Sequence, residues 1–215
     1  MSQNMEEIPV FKKKVTDFAS KYRIPVSRVV AVILLLIVLF SEHSWAENTI
    51  ADFMLEFTGF ILIGICTFGR LWSSMYISGY KDDSLIALGP YSIVRHPLYF
   101  FSFIGAVGLG LASENLIVII VLPILYILYY KPVMLSEEEK LTGIYKQEYI
   151  NFMQKTPRFL PKFSLFVEPE TYMIKARRFR QSFSDVIWFF IFFMILQFIE
   201  KLHIIGIIPV LYTIP

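Results

Sequence analysis

The feature that most constrains this chain is a series of apolar runs, at about residues 24–40, 53–78, 97–112, 116–132 and 184–200, with a shorter one at about 204–214. A helix that crosses a bilayer needs about 20 predominantly apolar residues. Within hydrocarbon, each backbone N–H and C=O must be satisfied inside the segment, which selects helices. The first run reaches that length only with Ile24-Pro25 and Ser41 as flanks, and Pro25 suits a first helical turn. The pattern predicts an all-α polytopic membrane protein with five spans. The last run, interrupted by Glu200, Lys201 and His203 and broken by Pro209, is left open between a half-span, an interfacial piece and a sixth span. Composition agrees: 56% of the 215 residues are hydrophobic and 18% charged, against about 45–50% and about 25% in soluble domains.

Charge placement sets an orientation. The loop after the first run carries Glu42, Glu47 and Asp52 without Lys or Arg, and the Ser113-Glu114-Asn115 turn has neither. Basic residues gather in the N-terminal segment 1–23, the 79–96 loop and the 131–180 segment. The positive-inside rule places those three on the cytoplasmic side, of a bacterial inner membrane or of the endoplasmic reticulum. No small-residue cleavage site follows the first run, so a removable signal peptide is not expected. A net charge of +2 gives no reason to expect nucleic acid as a partner, and the oligomeric state stays open. Cys66, the single cysteine, sits in an apolar run and reads as a buried thiol.

The third and fourth runs form a hairpin. Pro97 suits the first turn of the third helix, and Gly105, Ala106, Gly108 and Gly110 offer a small-residue face for close packing. Pro123 is expected to kink the fourth helix. After Lys131-Pro132 the chain should leave the membrane and form an amphipathic helix over 137–153, with Leu141, Ile144, Tyr145, Tyr149 and Phe152 on one face and Thr156-Pro157 stopping it.

Two polar segments stand at the ends of this hairpin. In Arg95-His96-Pro97-Leu98-Tyr99, one reading is an ordinary membrane boundary, with Arg for orientation and Tyr for the aromatic belt. The other starts from His96, beside a helix N-terminus whose free N–H groups attract anions. Tyr99, one turn on, and Tyr91, ahead of the turn, would then help to hold a carboxylate and ribose hydroxyls. In Glu137-Glu138-Glu139, one reading is a solvated first helical turn. The other has Glu137 or Glu138 binding an ammonium or sulfonium cation, an interaction strengthened in low dielectric. His43 and His203 read as interfacial, and Trp72, Tyr76, Tyr129 and Tyr130 as belt residues. Glu56, inside the second run, is either functional or close to the outer interface. No metal-ligand spacing, Ser–His–Asp arrangement or phosphate-cradling glycine loop is present, so no metal is expected.

Taken together, these segments resemble the isoprenylcysteine carboxyl methyltransferase family, a membrane group related to phospholipid methyltransferases. The match runs from Asp83-Ser84-Leu85-Ile86-Ala87-Leu88-Gly89-Pro90-Tyr91 through Arg95-His96-Pro97-Leu98-Tyr99. It continues in Glu137-Glu138 with Leu141, Tyr145 and Glu148-Tyr149, then Thr156-Pro157-Arg158-Phe159-Leu160-Pro161. The resemblance implies a cofactor-binding core over 80–162, followed by a basic linker and C-terminal membrane helix over 163–215, in a single membrane domain spanning 1–215. It implies S-adenosylmethionine as methyl donor, held at the cytosolic face by Ser84, Leu85, Ile86, Tyr91, His96, Pro97, Leu98, Tyr99 and Glu137, or Glu138 if the acidic run is shifted by one. It implies a lipid-like or prenylated acceptor, reached among membrane lipids, with His96 or Glu138 as base where the acceptor must lose a proton. Family members acting on prenylated cysteine carry an Arg four residues before the first Glu; that position is Val133 here, and Lys131 is the nearest cation. Membrane reductases that use NADPH on a sterol or enone share a similar His-Pro-x-Tyr segment, and a non-catalytic scaffold could keep the same fold.

Overall fold

The computed structural model describes residues 28–43, 49–78 and 84–214. The basic segment 1–23, the Ile24-Pro25 flank, Glu47 and residues 79–83 of the third basic loop lie outside the described residues, as do the side chains of Glu42 and His43. The described chain is all-helical apart from one pair of short strands. In order it forms α1 (Arg28–Phe40), β1 (Ser41–His43), α2 (Ile50–Ile77), α3 (Pro90–Ile93), α4 (Pro97–Ala112), α5 (Leu116–Tyr145), α6 (Gln147–Lys155), a 3-10 turn (Phe163–Leu165), α7 (Ala176–Ile204) and β2 (Tyr212–Ile214). Three helices, α2, α5 and α7, are long and apolar enough to cross a membrane, while α1 and α4 are shorter apolar helices. Side chains such as Phe68 (75% exposed), Leu128 (66%) and Phe198 (64%) point out of the bundle. Water would oppose that arrangement and lipid would not.

The helix starts are written locally. Thr49 caps α2, its Oγ1 accepting the Asp52 N–H at 3.3 Å. Asn115 caps α5, its Oδ1 accepting from the N–H groups of Ile117 (3.1 Å) and Val118 (3.3 Å). Pro97 opens α4.

α4 lies along α2 with almost nothing between the backbones. A Cβ on Gly108 would come within 2.8 Å of the Gly59 carbonyl oxygen, and one on Gly59 within 2.7 Å of the Gly108 carbonyl oxygen. Of the small residues expected to form one face, Gly105 and Gly108 face α2, Ala106 lines the cavity and Gly110 faces α5, where a Cβ would come within 3.2 Å of the Ile119 Cα. Ile63, Ala112 and Phe193 close one part of the core between α2, α4 and α7. Leu34, Val38, Val118 and Ile199 close another between α1, α5 and α7.

One expectation changes, and the run left open takes a definite form. The acidic run does not open a new helix: α5 continues from Leu116 to Tyr145 through both Pro123 and Pro132. Each proline removes only one ladder bond. The break comes at Lys146, whose φ of 48° ends α5 and starts α6, so the amphipathic stretch is split between two helices and Ile144 is 44% exposed. The last apolar run is not a helix. Gly206, at φ +72°, follows the end of α7, and β2 pairs in parallel with β1, Ser41 opposite Tyr212.

The starts of α1 and α4, the end of α2, the later half of α5 and the middle of α7 meet around a shared cavity. Asp52, Glu56 and Glu200 surround Glu114 in the turn between α4 and α5. These acidic groups thus gather at the end away from the cavity.

Candidate active site

The corner between α3 and α4 is fixed by a strap from the far side of the sequence. The Gly89 N–H donates to the Val167 carbonyl at 2.8 Å. Ser92 Oγ accepts the Val167 N–H at 3.0 Å and donates to the Gly89 carbonyl at 2.6 Å. The Lys162 N–H bonds the Ile93 carbonyl, and the Arg95 N–H bonds the Pro157 carbonyl at 2.8 Å. Gly89 is required here. Its φ is +56°, and the Tyr76 ring fills the space a Cβ would take. Tyr76 thus packs under the corner at 5% exposure rather than standing in an aromatic belt.

This corner delivers His96 and Arg95 to the later half of α5. Glu138, 6% exposed, accepts from Arg95 Nη1 at 2.7 Å and lies 3.2 Å from His96 Nε2, both on Oε1. Arg158 closes a fork on it, with Nη2 2.7 Å from Oε2 and Nε 3.0 Å from Oε1. The bond to Glu138 raises the Arg158 guanidinium above its ordinary range. Burial pushes the neighbouring Tyr149 hydroxyl up to about 12. Glu138 is therefore an ion-paired knot joining α4, α5 and the Pro157-Arg158 turn.

Glu137, about 100° round the helix from Glu138, behaves differently. Its side chain is 33% exposed and lines the cavity. Oε1 accepts from the Tyr99 hydroxyl at 2.8 Å, and Oε2 lies 3.8 Å from His96 Nδ1. Glu139 faces solvent.

The cavity has a volume of about 1410 Å³. Ser84, Leu85, Ile86, Tyr91, His96, Pro97, Leu98, Tyr99 and Glu137 all line it, and Glu138 does not. Of the two carboxylates left open by the sequence, the geometry brings Glu137 to the cavity. Tyr91 is buried, and its hydroxyl has no hydrogen-bond partner among the described residues. Burial first, and Glu137 second, push that hydroxyl above the usual phenol range, so it stays protonated and able to donate. Deeper in, the Tyr126 hydroxyl donates to the Tyr99 carbonyl at 2.9 Å and its ring stacks on Tyr130 at 4.3 Å. Val133 is buried at the cavity wall.

Sequence reasoning missed three cations. In the sequence Arg95 reads as an orientation signal and Arg158 only as part of a motif, although each pairs with Glu138. Arg70 lines the cavity from α2. The rule that singled out Glu56, an ionisable group inside an apolar run, applies equally to Arg70.

Comparison with known proteins now bears on this geometry. The family of phospholipid methyltransferases matches residues 50–148, from the start of α2 through the end of α5. The chain is 31% identical over 198 residues to the cobalt-zinc-cadmium resistance protein CzcN of Cupriavidus metallidurans, covering 92% of this chain and 91% of that one. The chain belongs to the phospholipid methyltransferase family. It is also 34% identical over 173 residues to the nickel-cobalt-cadmium resistance protein NccN of Alcaligenes xylosoxydans xylosoxydans, covering 80% of each. No solved structure matches it. The matched family region contains Arg70, His96, Tyr99, Glu137 and Glu138, while Arg158 lies beyond it. Among the described residues, no group of three or more His, Cys, Asp or Glu could hold a metal ion.

Proposed function

We propose that this chain is an integral membrane methyltransferase that takes its methyl group from S-adenosylmethionine and acts on a lipid-like or prenylated acceptor at the cytosolic face. One observation carries the reading. Glu137, Tyr99, His96 and the unpartnered hydroxyl of Tyr91 face one cavity, larger than the 300–1,000 Å³ typical of a single small-ligand pocket.

The residues fit the donor by their chemistry. Glu137 offers a carboxylate to an ammonium or sulfonium, and Tyr99 fixes its direction. Tyr91 offers a buried donor for a polar oxygen. The first turn of α4 leaves N–H groups without intrahelical acceptors, suited to a carboxylate. Ser84, Leu85 and Ile86 form the cover on the loop side. When bound, S-adenosylmethionine supplies an electrophilic methyl group on a positively charged sulfur.

The protein's own part is orientation and exclusion of water. Glu138 has both oxygens engaged by Arg95, Arg158 and His96, so a general-base role passes from Glu138 to His96. With Nε2–H donating to Glu138, the lone pair sits on Nδ1, facing the cavity side near Glu137. An acceptor that must lose a proton would give it to that atom. An acceptor already anionic needs no base. Two relatives are named for resistance to cobalt, cadmium and zinc or nickel; on this reading the contribution of this chain to such a role is a methylated membrane molecule.

The test is incubation of the purified protein with membrane lipid extract and donor carrying a trideuterated methyl group, followed by mass spectrometry. A lipid-soluble product heavier by one labelled methyl supports the reading. Absence of any labelled product across bacterial and eukaryotic extracts, with donor binding intact, contradicts it.

A further inference from the structure

Arg70 carries a charge that the donor site does not use. It stands about two turns before the end of α2 in a helix apolar enough to cross a membrane. Nη1 donates to Ser102 Oγ on α4, and the guanidinium carbon lies 5.8 Å from the Phe189 ring centroid on α7. Nε is buried with no hydrogen-bond partner among the described residues. Arg95 and Arg158 each hold a carboxylate, but no ion pair forms on Arg70 among the described residues. Asp185, which lines the same cavity one turn before Phe189, makes none with it. A guanidinium inside an apolar helix bundle is costly unless an anion meets it.

The cavity around Arg70 changes character. On the donor side it is polar, with His96 and Glu137. On the other side its wall is apolar, formed by Ala106, Leu109, Leu122, Leu125 and Phe192 from α4, α5 and α7. A cation at the junction of a polar site and an apolar channel matches one kind of ligand: an anionic head on a hydrocarbon tail, with the charge at the junction and the tail between the helices. An ammonium head would be repelled.

We infer that Arg70 holds the anionic head of an acidic amphiphile, with a carboxylate or phosphate ester on an apolar tail, and that this amphiphile is the methyl acceptor. Its role as acceptor rests on the methyltransferase reading. Binding of the anion does not.

The experiment uses the full chain in neutral maltoside micelles, as wild type, R70M and R70K. Tetradecanoate, tetradecyl phosphate, tetradecylammonium and tetradecanol are titrated by microscale thermophoresis, and S-adenosylmethionine is titrated separately. Wild type should bind at least one of the anions tenfold or more tighter than the alcohol, and the ammonium no tighter than the alcohol. R70M should erase that advantage and leave the alcohol unchanged, while R70K keeps part of it. Whichever anion wins identifies the head. Equal binding of anion and alcohol to wild type overturns the inference, as does an equal loss of all four ligands in R70M. Loss of S-adenosylmethionine binding in R70M with the anion preference intact also overturns it, because Arg70 would then serve the donor. If S-adenosylmethionine binds no variant yet the anion preference depends on Arg70, the anion subsite is supported and the methyltransferase reading fails.

Discussion

The Tyr99 hydroxyl donates to Glu137 Oε1 across 2.8 Å, joining the first turn of α4 to the later half of α5 at the cavity wall. The carboxylate one residue further on is tied to Arg95 and Arg158 instead. Two adjacent acids on one helix thus stand in separate places, one at the cavity and one in an ion-paired knot.

That separation is measurable. Glu137→Gln should weaken S-adenosylmethionine binding tenfold or more, equivalent to about 1.4 kcal/mol or more, with a nearly unchanged melting temperature. Isothermal titration and a thermal melt in the same detergent check both halves. Unchanged binding removes Glu137 from the site.

Glu138→Ala should act in the opposite sense. Removing one partner of a buried ion pair leaves the other uncompensated, at a cost of about 3–5 kcal/mol. Arg95, with a side chain 12% exposed, would be stranded. Arg158, 41% exposed, would be solvated in that variant, but Arg158→Ala leaves the buried Glu138 Oε2 without its guanidinium partner and should itself cost about 1–3 kcal/mol. Thermal melts should show Glu138→Ala as the most destabilised of the three, with Arg95→Ala and Arg158→Ala both measurably below wild type.

Tyr91→Phe removes a buried hydroxyl that has no partner among the described residues. Stability should stay level or rise slightly, since no protein hydrogen bond is lost. S-adenosylmethionine binding should fall several-fold. A fall in melting temperature with unchanged binding would make the hydroxyl structural.

Burial, with Glu200, Asp52 and Glu56 nearby, pushes the Glu114 carboxyl up to about 8. A carboxyl raised in the folded state favours folding while it keeps its proton. Its contribution is full below the unfolded value of about 4.5 and is lost as pH rises toward 8. Glu114→Gln, which cannot ionise, should therefore raise the melting temperature at pH 8 and change it little at pH 5. A pH-independent effect would contradict this.

Much of this architecture was legible in the sequence because apolar runs and prolines act locally. The helix start at Pro97 and the small residue Gly108 are read from neighbouring positions, and the caps at Thr49 and Asn115, though not singled out from the sequence, are equally local signals. The site was half legible. His96, Tyr99 and the acidic run were visible as ionisable groups at membrane boundaries. Which acid faces the cavity was not, because one step along α5 turns the side chain by about 100°, and the partner that claims Glu138 lies 20 residues on, at Arg158. The end of α5 was also hidden, since only tertiary context allows a helix to continue through Pro132. Arg70 was readable by an argument already applied to Glu56.

The central claim is that one cavity, bounded by His96, Tyr99 and Glu137, takes S-adenosylmethionine. Equilibrium dialysis of the purified full chain against labelled S-adenosylmethionine and, separately, NADPH tests it most directly. The account predicts one saturable site for S-adenosylmethionine, displaced by S-adenosylhomocysteine, and no saturable binding of NADPH. Saturable NADPH binding with none for S-adenosylmethionine would contradict it.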